Sequence, residues 1–260
     1  MYVTTMLLFF SAKIVCAADS VYIDELTTSE IRKKIDAGTT IAIIPTGGSE
    51  QNGSHMVIGK HNIIVHYAAG EIARQLGNTL VAPVITYVPE GSIEPPEGHM
   101  LFAGTISLRK ETYSALLEDA ATSLKQHGFK IICFIGDSSG NQKIQEILAD
   151  KLSEKWKKSG VRVLQIADYY SNNGQDAWVK SLKIPLKNFN AHAGFEDTSE
   201  LIAIDENAVR KNLLGDHTNN TSEVNGVSGD STLASADYGK YLLKLKIAAA
   251  VSQIQHVTKP

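Results

Sequence analysis

Short apolar runs alternate with longer stretches of helical periodicity along most of the chain, and this alternation restricts the architecture more than any other feature. Residues 40–45, 130–135 and 161–166 read as strands, and "TLVAPVITYV" as a strand or strand pair broken at Pro83. Between them lie helical patterns. A short helix through Ile35 is capped by Thr28-Ser29-Glu30 and closed by Gly38. A second, from about 63 to 76, puts Ile64, Ala68, Ile72 and Leu76 on one face. A third, over 109–127, carries Leu116, Leu117, Ala120 and Leu124 as its stripe. A fourth runs from about 141 to 158, "NAHAGFEDTSE" opens another, and a last one ends near Gln255. Strands separated by helices of this length predict right-handed βαβ units around a largely parallel sheet. No internal repeat or linker divides residues 19–260, so one α/β domain is expected. In such folds ligands bind beyond the carboxyl ends of the strands.

The loop after the first strand, "IPTGGSEQNGSHMVIGKHN" (45–63), therefore carries most weight. It holds one glutamate and two histidines at the end of a buried strand. "GDSSGN" (136–141) ends the next strand at the same sheet edge, and the Gly/Pro-rich segment 89–105 is the natural wall or lid. Gly47, Gly48 and Gly53 read as requirements of a tight loop. A phosphate loop is excluded, because "GGSEQNG" lacks both the Lys-Ser/Thr ending and the dinucleotide spacing.

Charge and composition exclude other classes. A net charge of −3 over 260 residues gives no electrostatic case for nucleic acid or an anionic membrane. The first 18 residues, with an apolar run from Met6 to Phe10 and small residues at Ala17-Ala18, read as a signal peptide. The expectation is a secreted or periplasmic protein, or a cytoplasmic one if that segment is not a leader. The apolar run is too short for a membrane span, so an integral membrane protein is not expected. With Cys16 removed, Cys133 would be left as a buried core thiol with no internal disulfide partner.

Four segments, "PTGGSEQNGSHM", "GHMLFAGTISL", "GDSSGN" and "HAGFEDTSE", follow the order and approximate spacing of the motifs of the creatininase (creatinine amidohydrolase) family, and the chain resembles that family from about Ile41 to Ile204. The resemblance implies a three-layer αβα sandwich, a homo-oligomer (commonly a hexamer), and a two-metal site, zinc or manganese, hydrolysing C–N bonds of small amide-type substrates through a metal-activated water. Matched to the family's motifs, Glu50 keeps a ligand glutamate and His55 the second histidine of its motif. Asn52 replaces a ligand histidine, His61 the bridging aspartate and Ser138 another ligand histidine. Phe195 replaces a ligand glutamate. Glu50 alone is kept in kind.

Two readings follow. In the first, Glu50, His61 and Asp137 hold one divalent ion: zinc, manganese or iron. His192 moves protons, and His55 or another neighbour (His99, Glu196) adds a ligand or serves as base. Asn52, His99, Ser138, Asn141 and Phe195 contact substrate. A neutral imidazole binds one metal and cannot replace a bridging carboxylate, so a single ion is expected. In the second reading catalysis is lost and these polar groups bind a small polar ligand. Duller roles stand beside both. Glu50 can be an ion-pair carboxylate, His61 a helix cap, Asp137 an acceptor for helix N–H groups, and His192 a donor to a loop carbonyl. An assembly module built on the family's oligomer is a third class, with no residue in its favour.

Overall fold

The computed structural model describes residues 20–185, 188, 191–215 and 226–258; the segment expected to be a leader, Cys16 and His217 lie outside them. Four strands form one parallel sheet: β1 (Ile41–Thr46), β2 (Thr79–Val81), β3 (Ile131–Gly136) and β4 (Arg162–Gln165), in the order β2-β1-β3-β4. The "TLVAPVITYV" segment is strand only over β2, and beyond Pro83 only isolated bridges at Ile85 and Val88 continue it. The helices are α1 (Thr28–Asp36), α2 (Lys60–Leu76), α3 (Lys110–His127), α4 (Ser139–Trp156), α5 (Ala167–Tyr170), α6 (Gln175–Leu182), α7 (Phe195–Ile204) and α8 (Ala236–Thr258).

The sheet is covered on both faces, as the unbroken apolar runs require. Successive side chains of a strand point to opposite faces. Ile41, Ile43, Cys133 and Ile135 pack with α2, α7 and α8, through Ile64, Ala68, Ile72, Leu201 and Ile247. Ala42, Ile44, Ile132 and Phe134 pack with α3 and α4, through Tyr113, Leu117, Leu148 and Leu152. This is the three-layer αβα sandwich. Cys133 is a fully buried free thiol whose ionisation burial pushes up to about 12, so it is a core residue.

Two boundaries differ from the sequence reading. The capping box of α1 is made by Thr27 with Glu30, one residue earlier than expected. Helix α2 starts at Lys60, three residues before the expected start at 63. That early start fixes the site, because it puts Lys60 and His61 on the first turn of a helix.

The connections explain where the site lies. β1 pairs with β2 on one side and β3 on the other, in parallel register from Ile41↔Ile131 to Thr46↔Gly136. The crossover through α2 covers one face and the next, through α3, the other. The chain thus diverges between β1 and β3, the topological switch point at which open α/β sheets bind ligands. Glu50 follows β1 there, and Asp137 follows β3.

Candidate functional site

His61 sits between two carboxylates. Its Nδ1 is 2.7 Å from Asp137 Oδ2 and its Nε2 is 2.7 Å from Glu50 Oε1. Burial and the Lys60 charge push the imidazole toward neutrality, but the two carboxylates prevail and raise its pKa to about 9. His61 is therefore an imidazolium donating to both acids, with no lone pair for an ion. Glu50, His61 and Asp137 do come together, but as a hydrogen-bonded chain and not as the metal cage expected of them.

Two lysines complete this network. Lys60 has no exposed surface and holds Asp197 at 2.7 Å and Glu50 at 3.4 Å. Burial opposes its charge, yet Asp197 and Glu50 raise its pKa above the usual lysine value. Lys246 pairs with Asp137 and Glu200, and the Tyr169 hydroxyl donates to Asp137 at 2.6 Å. Burial raises the carboxyl pKa of Asp137, but Lys246 and His61 outweigh it and hold that pKa well below the usual range. Glu50 is likewise held anionic against burial, by His61 and Lys60. Glu90 differs. Burial and the neighbouring Glu50 charge raise its pKa to about 8, so it carries a proton at neutral pH. A Cβ at Gly48 would meet that carboxyl and displace it.

Glu50 also faces two further imidazoles. His99 Nε2 is 3.1 Å from Oε2 and His192 Nδ1 is 3.4 Å from Oε1. One donor atom from each of Glu50, His99 and His192 lies within 4.8 Å of the others. Burial and the Lys60 charge push the His192 pKa down to about 4, and burial lowers that of His99, so both rings are neutral at pH 7. His192 Nε2–H donates to the Gln51 carbonyl at 2.8 Å, which leaves the Nδ1 lone pair facing Glu50. These groups line a cleft of about 870 Å³, walled by Ser138, Tyr170, Asn172, Gln175 and Glu196.

Ser138 is at the cleft as expected and donates to Glu90 at 3.4 Å. Four other expected site residues are scaffold. His55 is fully buried, its Nε2 held by the Ala193 carbonyl and the Thr198 hydroxyl, so it is not a base. Asn52 donates to the carbonyls of Glu50 and Val57 and folds its own loop. Asn141 donates to the Thr46 hydroxyl and the Gly47 carbonyl, tying α4 to the end of β1. Phe195 is core, packed with Val179, Leu242 and Tyr238. His66, His127 and His256 are exposed, away from the cleft. Residues the sequence reading missed are Lys60, Lys246, Asp197, Glu200, Glu90 and Tyr169.

The family profile described as "Creatininase: Creatinine amidohydrolase" matches residues 24–254. The chain belongs to the creatininase family. It is 29% identical to a creatinine amidohydrolase of Pseudomonas putida over 109 residues, which cover 42% of this chain and 41% of that protein. It is 23% identical over 243 residues to a mycofactocin precursor peptide peptidase of Mycolicibacterium smegmatis, covering 86% of this chain and 87% of that one. A crystal structure of creatinine amidohydrolase superposes with a TM-score of 0.78 at 22% identity, covering 93% of this chain and 99% of the other. A manganese creatininase gives 0.75 at 21%, and a mutant described as Zn–Zn type gives 0.76 at 22%; each comparison covers 93% of this chain, and 100% and 99% of the other chain respectively. At these identities the structures establish the fold.

Two ions do not fit this chain. Asp137 Oδ2 is taken by His61, and its Oδ1 by Tyr169 and Lys246; Asp197 Oδ2 is taken by Lys60 and the Ala193 N–H. A bridging carboxylate is replaced by an imidazolium, which repels cations. One ion does fit the donor set of Glu50, His99 and His192: an anionic carboxylate and two neutral imidazoles, the set that borderline divalent metals prefer.

Proposed function

We propose that the chain hydrolyses a C–N bond of an amide-type substrate with a single divalent ion held by Glu50, His99 and His192. The observation that carries this reading is the convergence of those three donor atoms within 4.8 Å at the mouth of the cleft. A bound zinc or manganese ion would lower the pKa of a water molecule and polarise the scissile carbonyl. The chain's own residues do the rest. Lys60 and His61 hold Glu50 anionic and fixed in place. Gln51 sets the His192 tautomer. Glu90, protonated at neutral pH beside the Glu50 charge, is a carboxylic acid that suits proton delivery to the leaving nitrogen. Ser138, Asn172 and Gln175 offer hydrogen bonds to a polar substrate. The cleft is roomier than a small ring requires, so linear amides and short peptides belong in the screen beside lactams. In this reading the leader exports the protein and the domain assembles as a homo-oligomer. N-terminal sequencing of the exported protein and light scattering test those two points.

One observation favours a second reading, a pocket that binds a polar ligand without cutting it. Each of the four carboxylates, Glu50, Asp137, Asp197 and Glu200, is already paired with Lys60, His61 or Lys246, so most of the site's negative charge is offset without metal, and Lys60 opposes an ion beside Glu50. Metal content by elemental mass spectrometry, on protein purified without chelator or tag metal, separates the two. About one ion per chain, lost in Glu50→Gln and in His192→Ala, together with hydrolysis of some amide, supports the hydrolase. No ion after incubation with zinc, manganese and iron sinks it and leaves the binding pocket.

A further inference from the structure

Asp137, after β3, and Glu200, on α7, bring two buried carboxylates to the inner wall of the cleft. Lys246 of α8 reaches between them, its Nζ 3.2 Å from Asp137 Oδ1 and 2.9 Å from Glu200 Oε2. Its side chain is 9% exposed and those of the carboxylates 3%. The Tyr169 hydroxyl donates to the same Asp137 oxygen, and its ring centroid lies 4.8 Å from the ammonium. The Gln175 amide holds the other oxygen of Glu200 at 2.5 Å. Two carboxylates brought together out of water need a cation between them. An all-oxygen set of this kind is what a hard divalent ion takes. Here the cation is tethered to the chain.

We propose that Lys246 is a built-in replacement for a metal ion. Its ammonium fills an oxygen-lined cation position formed by Asp137, Glu200 and Tyr169, and this limits the chain to at most one exchangeable divalent ion. The limit of one rests on the single-ion reading above; the role of Lys246 does not. A tethered charge cannot be chelated, so this half of the site keeps its electrostatics when metal is scarce.

The test counts ions by native mass spectrometry during titration with manganese chloride, with melting temperature followed in parallel. Full-length wild type, Lys246→Met, Lys246→Arg and Lys246→Met/Asp137→Asn are compared. The expected result is at most one manganese on wild type and on Lys246→Arg. Lys246→Met takes one more than wild type, melts lower, and regains several degrees as manganese is added; the double variant loses the extra ion. If Lys246→Met does not fold alone, refolding with manganese recovers it. Two ions on wild type overturn the proposal, as does a Lys246→Met protein that gains no ion or is not recovered by manganese. No ion on wild type with one on Lys246→Met ends the single-ion reading and leaves this inference standing. One ion on each does the reverse.

Discussion

Lys60 is the residue on which the site depends most, because it neutralises Glu50 and Asp197 with no access to water. Lys60→Met leaves the buried Glu50 and the partly exposed Asp197 without that cation and is expected to cost about 3 kcal/mol, measured by urea denaturation. His61 gives a pH signature. Its folded pKa, about 9, lies above the unfolded value of about 6.5, so its stabilisation is complete below pH 6.5 and lost as pH rises toward 9. Glu90, raised to about 8, adds to the loss over its own window, from about pH 4.5 to 8. Unfolding free energy should therefore fall between pH 6.5 and 9, and more shallowly in His61→Gln. An equal slope in that variant would mean that His61 is not the imidazolium described. The sequence placed Glu50, His61 and Asp137 at one sheet edge because strand ends and loops are legible. It did not reveal the charge state of His61, which Glu50 and Asp137 set against burial and against the charge of Lys60 on the same turn of α2. The apolar stripe of α2 starts at Ile64, so nothing in the periodicity marks the helix as beginning at a buried lysine.

At the scale of elements, the tightest constraint is the crossing of α7 and α8. Gly239 of α8 lies against the Ser199 carbonyl of α7, and a Cβ there would strike backbone. Gly239→Ala must push the helices apart, costing roughly 1–3 kcal/mol by the usual penalty for overpacking. It also separates Lys246 from Glu200, which ride on these two helices. A drop of several degrees in melting temperature, with weaker binding of cleft ligands, is the expected outcome; unchanged melting would show that the crossing has slack. The same scale explains why Asn52, His55 and Asn141 suggested chemistry while the contacts they make tie loop to scaffold. Long irregular loops at a sheet edge must satisfy their own backbone polar groups. The residue types suited to that work also suit metals and substrates, and sequence alone does not separate the two uses. Phe195 misled in another way, since its motif position gave no sign that α7 would turn it into the core with Leu242.

For the whole molecule, the strand–helix alternation was enough to predict βαβ units around a largely parallel sheet, whereas the strand order that puts the switch point between β1 and β3 came from the structure. What could not be read was which helix would reach back to the switch point. If one ion binds at Glu50, His99 and His192, zinc should raise the melting temperature in proportion to the logarithm of its concentration above the dissociation constant. His99→Ala should abolish that rise. A rise that survives the substitution would place the ion elsewhere.

Lys246 and Asp137 are 109 residues apart, and that separation gives synthesis an order. Both strands flanking the switch point leave the ribosome long before α8 does. Until α8 docks, Asp137 and Glu200 lack their counter-charge and stay hydrated or protonated, so the cleft cannot close around them. The helix that completes the electrostatics should thus also time maturation: a nascent chain is expected to hold an open, wet sheet edge until α8 arrives.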